Sequence, residues 1–247
     1  MIPKIIHYCW LSKNPIPEDL QGYLDIWKEK LSEYEFILWN FDRFDKNSSL
    51  WVKQSFDCKK YAFAADYIRL YAIYNYGGIY LDLDVEVLKT LNPFLDLKTM
   101  IGFETEGHGL EVAAFGAEKN ATWVKQCLSY YENRLFIKDS GEYDTKLLPL
   151  VINDILVGNR YKLVPVLSLK EAIQIEDSLS IPVFSCDYFS PKSHSTGKIA
   201  VTSDTVCIHH FAGTWLPFLA RVEQNISRFL GVKNRYLFAN FTKKMRW

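Results

Sequence analysis

Ala64-Ala65-Asp66-Tyr67-Ile68-Arg69, carried through Gly77-Gly78-Ile79-Tyr80-Leu81 into Asp82-Leu83-Asp84, is the stretch on which the fold turns. Residues 60–76 read as one long helix, and the Gly77-Gly78 pair is a good stop because glycine accepts the left-handed backbone of a helix C-terminus. Residues 79–87 then read as an apolar strand. A helix that passes through a glycine break into such a strand is a unit of an α/β sheet, where ligands collect beyond the carboxyl ends of strands. Asp82 and Asp84 stand there. Two apart in extended chain, both carboxylates project to one face. Held that close they repel unless a cation joins them, which makes a hard oxygen site suited to Mg²⁺ or Mn²⁺ shared with a phosphate. The plainer reading is a solvated strand end, with Glu86 continuing the acidic edge.

Outward from this unit the same alternation recurs. Residues 4–10 read as a buried strand, 17–31 as a helix with Pro17 near its start, and 34–40 as a second strand. Residues 100–104 and 111–116 look like two more strands, with helices over 122–135 and 147–156. The expected class is α/β, a mixed central sheet flanked by helices. No internal repeat or long linker divides the chain, so the expectation is one domain over 1–218 and a helical extension over 219–247.

Composition narrows the function. The chain has 247 residues, 49% of them hydrophobic and 23% charged, which excludes a disordered or fibrous protein. Lys plus Arg and Asp plus Glu are both 29, so a globally basic nucleic-acid binder is disfavoured. Aromatics at 15% exceed what a core needs and suit a pocket that stacks flat ligands. The charge is uneven: residues 219–247 hold seven cations against Glu223 alone. Interleaved with Leu219, Phe229, Leu230, Tyr236, Leu237, Phe238, Phe241 and Trp247, these fit either a basic amphipathic segment on an anionic membrane or a helix packed on its own domain. The five cysteines are odd in number and form no Cys-x-x-Cys, so neither a disulfide framework nor a zinc ribbon is indicated. The N-terminal apolar stretch is too short for a signal peptide, and no uncharged run reaches a spanning helix. The expected location is cytoplasmic, with peripheral contact at the inner face of a membrane left open by the tail.

Asp66 and Arg69 are spaced i, i+3 on one helix face. They read either as a surface ion pair or, beside the aspartate strand, as a polar wall that fixes sugar hydroxyls. His209-His210 follow a strand-like run, and adjacent strand residues point to opposite faces, so one of the two can reach a metal while the other packs.

Together, Ile5-Ile6-His7-Tyr8-Cys9-Trp10, the Ala65-to-Asp84 block and His209-His210-Phe211-Ala212-Gly213-Thr214-Trp215 resemble glycosyltransferase family 32. That family includes bacterial capsular-polysaccharide transferases and fungal initiating mannosyltransferases, and it is similar to clostridial glucosylating toxins. The resemblance covers roughly residues 1–220. It implies a GT-A fold, Rossmann-like and nucleotide-sugar-binding, with Mn²⁺ or Mg²⁺ as cofactor. It implies a nucleoside-diphosphate sugar donor, with UDP favoured, and retention by front-face attack onto a glycan or lipid-linked acceptor. Carried over by position, it sets Trp10 against the nucleotide base, Asp66 and Arg69 on the donor sugar, Asp82 on the ribose or sugar, and Asp84 on the metal. Asp82, Asp84, Asp66 and Arg69 would form the catalytic set. His210, with Gly213 three residues on, matches a His-x-x-Gly ligand motif and is the favoured histidine. Thr214 and Trp215 would close over the diphosphate. One departure is the Glu142-Tyr143-Asp144-Thr145-Lys146 segment, where many members carry Thr-Gly-Pro.

Two rival readings share parts of this pattern. Asp-x-Asp after an apolar strand also opens the haloacid-dehalogenase phosphatases, but their motif wants Thr or Val where Glu86 stands. A non-catalytic carbohydrate-binding module seldom needs the full aspartate, arginine and histidine set. No Gly-x-Gly-x-x-Gly, Walker A loop, His-Glu-x-x-His or Gly-x-Ser-x-Gly is present.

Overall fold

The computed structural model describes residues 1–105 and 109–213. Thr214, Trp215 and the proposed extension 219–247 therefore lie outside the described residues. Seven strands form one sheet: β1 (Ile5–Cys9), β2 (Glu35–Trp39), β3 (Gly78–Leu81), β5 (Thr99–Phe103), β6 (Leu110–Ala117), β7 (Lys162–Val166) and β8 (Ser180–Phe184), in the order β2-β1-β3-β6-β5-β8-β7. All run parallel except β6, which is antiparallel to both β3 and β5. Two short strands, β4 (Val85–Val87) and β9 (Cys207–His209), pair with each other in a separate ribbon. The α/β class with a mixed, helix-flanked sheet is what the structure shows.

Helices cover both faces because β3 is apolar on both. Ile79 and Leu81 join one core layer with Leu20, Leu24 and Trp27 of α1 (Glu18–Lys30). Tyr80 points the other way, into a layer with Leu70 and Ile73 of α3 (Tyr61–Tyr76) and with α4 (Thr122–Ser129) and α5 (Leu148–Gly158). The helix α2 (Leu50–Asp57) lies between β2 and α3. The expected stop after α3 is built as the glycines imply. The Gly77 N–H donates to Ile73 O at 2.8 Å, and Gly77 and Gly78 have φ of 68° and 103°. A Cβ on Gly78 would stand 2.7 Å from Ile5 O, so β1 and β3 could not approach as they do.

The expectation of one strand over 79–87 is corrected. The chain leaves the sheet after Leu81, turns through Asp82-Leu83-Asp84 with a Val85 N–H to Asp82 O bond of 3.0 Å, and re-enters extended structure only as β4. Trp27 holds this second piece, its indole N–H donating to Val85 O at 2.7 Å. The helix expected over 122–135 ends earlier, at Ser129, and the remaining boundaries shift by a residue or two. Among the described residues no helix is long and apolar enough to cross a membrane.

Because β1, β3 and β5 run parallel, their carboxyl ends lie on one edge of the sheet. The reversed β6 begins there. That edge therefore gathers Trp10, Asp82, Glu104 and Glu111.

Candidate active site

A cleft of about 820 Å³ opens at this edge, within the size range of small-molecule sites. One wall is the loop after β1, with Trp10, Leu11 and Ser12. The floor holds Arg69, Asp82 and Asp84, and the far side carries Glu104, Leu147, Pro149, Leu150 and His209.

Arg69 organises the floor. It is buried, its guanidinium carbon 4.6 Å from the Tyr80 ring centroid. Nη1 donates to Val112 O at 2.8 Å and to Asp82 Oδ2 at 3.3 Å, while Nη2 lies 3.3 Å from Asp82 Oδ1 and 3.4 Å from Asp66 Oδ1. The Asp66–Arg69 pair is thus an inner ion pair with Asp82 as third member; Arg69 and Asp82 line the cleft, and Asp66 stands behind them rather than in its lining. Tyr80 completes it, its hydroxyl donating to Asp82 Oδ1 at 2.8 Å. Burial pushes the Asp66 carboxyl up to about 6, against the pull of Arg69 and with repulsion from Asp82 adding to the rise. Asp82 is raised for the same reason, burial, with Arg69 opposing and Asp84 reinforcing. Arg69 itself is held protonated by Asp82, Tyr80 and Asp66, which outweigh its desolvation.

Asp84 faces the segment after β9. Its Oδ2 accepts from the Ala212 N–H at 2.7 Å and its backbone oxygen from the His210 N–H at 2.9 Å. Asp84 Oδ1 is 3.6 Å from His209 Nε2. Asp82, Asp84 and His209 each offer a ligand atom within 4.8 Å of the others. Two carboxylates and an imidazole at this spacing fit a divalent cation such as Mn²⁺ or Mg²⁺. The surroundings already favour positive charge at that point. Although burial works against it, Glu111, Asp84 and Asp82 raise the His209 imidazole to about 9.

The histidine expectation is corrected here. His209, not His210, turns to the aspartates. The His210 ring stacks on Tyr23 at 5.1 Å, and Lys192 Nζ, which can only donate, approaches Nδ1 at 3.3 Å, so Nε2–H is left to donate to Glu86 Oε2 at 2.8 Å. Alternation separated the two side chains as expected, but the chain's exit from β3 at the turn, and the pairing of β4 with β9 that follows, set which of them met Asp84.

Trp10 lines the cleft, its indole N–H donating to Asn14 O at 2.7 Å. Two carboxylates escaped the sequence reading. Glu104 lines the cleft, and burial together with repulsion from Glu111 pushes its carboxyl up to about 7. Glu111 is fully buried and meets His209 Nδ1 at 3.2 Å. A lone glutamate inside the apolar run Leu110-Glu111-Val112-Ala113-Ala114-Phe115 was a signal, since a buried charge needs a partner. The departing segment 142–146 precedes the cleft's outer wall, and there Asp144 pairs with Arg134 Nε at 2.8 Å.

Residues 17–101 match the family described as "Glycosyltransferase sugar-binding region containing DXD motif". The chain is 39% identical over 129 residues to inositol phosphoceramide mannosyltransferase 3 of Schizosaccharomyces pombe, covering 51% of this chain and 36% of that protein. It is 34% identical over 99 residues to a mannosyl phosphorylinositol ceramide synthase of Saccharomyces cerevisiae, covering 38% and 26%. The chain thus spans well under half the length of these relatives. A solved structure described as "PaToxG Glycosyltransferase" is similar at 20% identity and a TM-score of 0.46, over 64% of this chain and 69% of that one. The family match bears out the resemblance drawn from the motifs, and the mixed, helix-flanked sheet agrees with the GT-A fold it implied.

Proposed function

We propose, starting from a chain that carries the sugar-binding region of DXD-motif glycosyltransferases, that it transfers a hexose from a nucleoside-diphosphate sugar to a glycan or lipid-linked acceptor, with retention and with a divalent metal. The observation that carries this is the convergence of Asp82, Asp84 and His209 on the floor of a cleft whose wall bears Trp10. The names of the fungal relatives favour mannose as the hexose; the motif resemblance favours a UDP-linked donor.

The chain's residues divide the work as follows. Both Asp82 oxygens are engaged by Arg69 and one also by Tyr80, so Asp82 has the less free lone pairs. Among the described residues Asp84 Oδ1 meets no hydrogen-bond donor apart from His209, so Asp84 would be the principal ligand, with His209 beside it. These groups would hold a divalent ion, which would supply Lewis-acid stabilisation of the charge that develops on the leaving diphosphate. Arg69, locked by the Val112 carbonyl and paired behind with Asp66, holds Asp82 at the cleft floor to meet sugar hydroxyls. Trp10, pinned through Asn14, offers a flat face to the base. Retention would follow from front-face attack: the acceptor oxygen bonds the anomeric carbon on the face from which the diphosphate oxygen departs, and that departing phosphate takes the acceptor hydroxyl proton.

The test is a panel of UDP- and GDP-linked hexoses with Mn²⁺ and no acceptor. Slow release of nucleoside diphosphate from one donor, abolished by chelation, supports the reading. Release of orthophosphate from small phosphomonoesters, or no turnover of any donor, sinks it.

A further inference from the structure

We infer that Glu111 is a positioning residue of this centre: its carboxylate fixes the His209 ring with Nε2 presented to Asp84 and Asp82. The inference rests on the metal reading above. Glu111 sits at the start of β6, inside the core. Among the described residues it is the only carboxylate at 0% exposure. Taking an ion from water into such a place costs several kcal/mol, and a hydrophobic residue of similar volume would fill the space without that cost. A purely structural demand does not call for an anion there.

Both carboxylate oxygens are spoken for. Oε1 accepts from the Ala113 N–H at 2.7 Å, which anchors the group to its own strand. Oε2 meets His209 Nδ1 at 3.2 Å. With Nδ1 held by a carboxylate, the one proton of the neutral ring stays on that nitrogen, and Nε2, facing Asp84 Oδ1 at 3.6 Å, is the atom left to a metal. Phe211, its ring centroid 3.9 Å from the imidazole's, limits rotation of the ring. Carboxylate, imidazole and ligand position thus form a line in which the outer anion sets the tautomer and basicity of the inner ligand, an arrangement that elsewhere is worth about 10- to 100-fold in metal affinity.

The test measures binding of the metal alone to the full chain, Co²⁺ by its absorption spectrum and Mg²⁺ by calorimetry. Glu111→Asp keeps the charge and withdraws the carboxylate by one methylene. It should weaken Co²⁺ by about 10- to 100-fold. It should cost Mg²⁺ less than about threefold, because imidazole matters more to Co²⁺ than to Mg²⁺. Glu111→Gln should lose Co²⁺ affinity in the native background and lose nothing further in His209→Ala, since its effect passes through that ring. Equal losses for both metals, no loss at all, or a full Glu111→Gln effect that persists in His209→Ala would overturn the inference. Circular dichroism identifies a variant that fails to fold, and the other variant then decides. A native protein that binds neither metal, or an Asp84→Ala variant that binds both normally, overturns the metal reading itself. A loss on His209→Ala with none on either Glu111 variant overturns the role of Glu111 alone.

Discussion

Arg69→Met removes the guanidinium while keeping much of its stem, and the structure sets what that costs. The native group satisfies Val112 O at 2.8 Å, both oxygens of Asp82 at 3.3 Å and Asp66 at 3.4 Å. Without it Asp66 and Asp82 face each other with no cation, and a buried carbonyl loses its donor. Removing one partner of a buried ion pair costs about 3–5 kcal/mol, a figure that already includes stranding the opposite charge. The penalty should depend on pH, and its sign can be worked out. Burial already raises Asp66 to about 6 with Arg69 opposing, so losing Arg69 raises it further above the unfolded value. An acid whose folded pKa lies above its unfolded pKa binds more protons in the folded state, so it destabilises at neutral pH and the effect fades as pH falls. Urea unfolding of native and variant proteins should therefore show the full loss at about pH 7.5 and a smaller one at about pH 5. A loss below about 1 kcal/mol, typical of an exposed pair, or one unchanged between the two pH values would refute the description of the floor as a buried charge network.

Trp10→Ala should weaken donor binding by about 1–3 kcal/mol in calorimetry with the protein still folded, because the ring lines the cleft and packs only partly buried against the edge of the core. Native donor affinity, or a collapse of stability, would return Trp10 to a packing role. His7 should make the fold acid-sensitive. It is fully buried, its Nε2–H donating to Gly77 O at 2.8 Å and its Nδ1 accepting from Trp39 at 3.0 Å, and burial lowers its pKa from 6.5 to about 4. The unfolded chain then binds more protons between those values, so stability present above 6.5 falls by about 3 kcal/mol as pH drops to about 4. His7→Gln, compared by urea unfolding across that window, should lack this part of the slope; parallel slopes would contradict the assignment.

The sheet was legible where local chemistry and tertiary position agree. Gly77-Gly78, the apolar Ile79-Tyr80-Leu81 and the Lys60-to-Tyr76 pattern each have one comfortable conformation, and each adopts it. The turn at Asp82-Leu83-Asp84 was not legible. Val85-Glu86-Val87 continues the strand-like composition, and nothing local says that it pairs with Cys207–His209 instead of the main sheet. The same long-range event misdirected the choice between His209 and His210, since alternation tells that two neighbours diverge but not which side faces a partner over a hundred residues away. Glu111 was visible as a charge in an apolar run, yet its partner lies on a strand 98 residues later in the chain. Thr214 and Trp215 remain expectations from the motif resemblance.

The central claim is a metal centre built from Asp84, Asp82 and His209 that holds a diphosphate donor. Mn²⁺ titration of the full chain, followed by the loss of the free-ion paramagnetic resonance signal, tests it in native, Asp84→Ala, His209→Ala and His210→Ala proteins. The account predicts about tenfold or greater weakening in Asp84→Ala and His209→Ala, the loss of a whole ligand, with His210→Ala close to native. Undiminished affinity in Asp84→Ala, or a larger loss in His210→Ala than in His209→Ala, would contradict it.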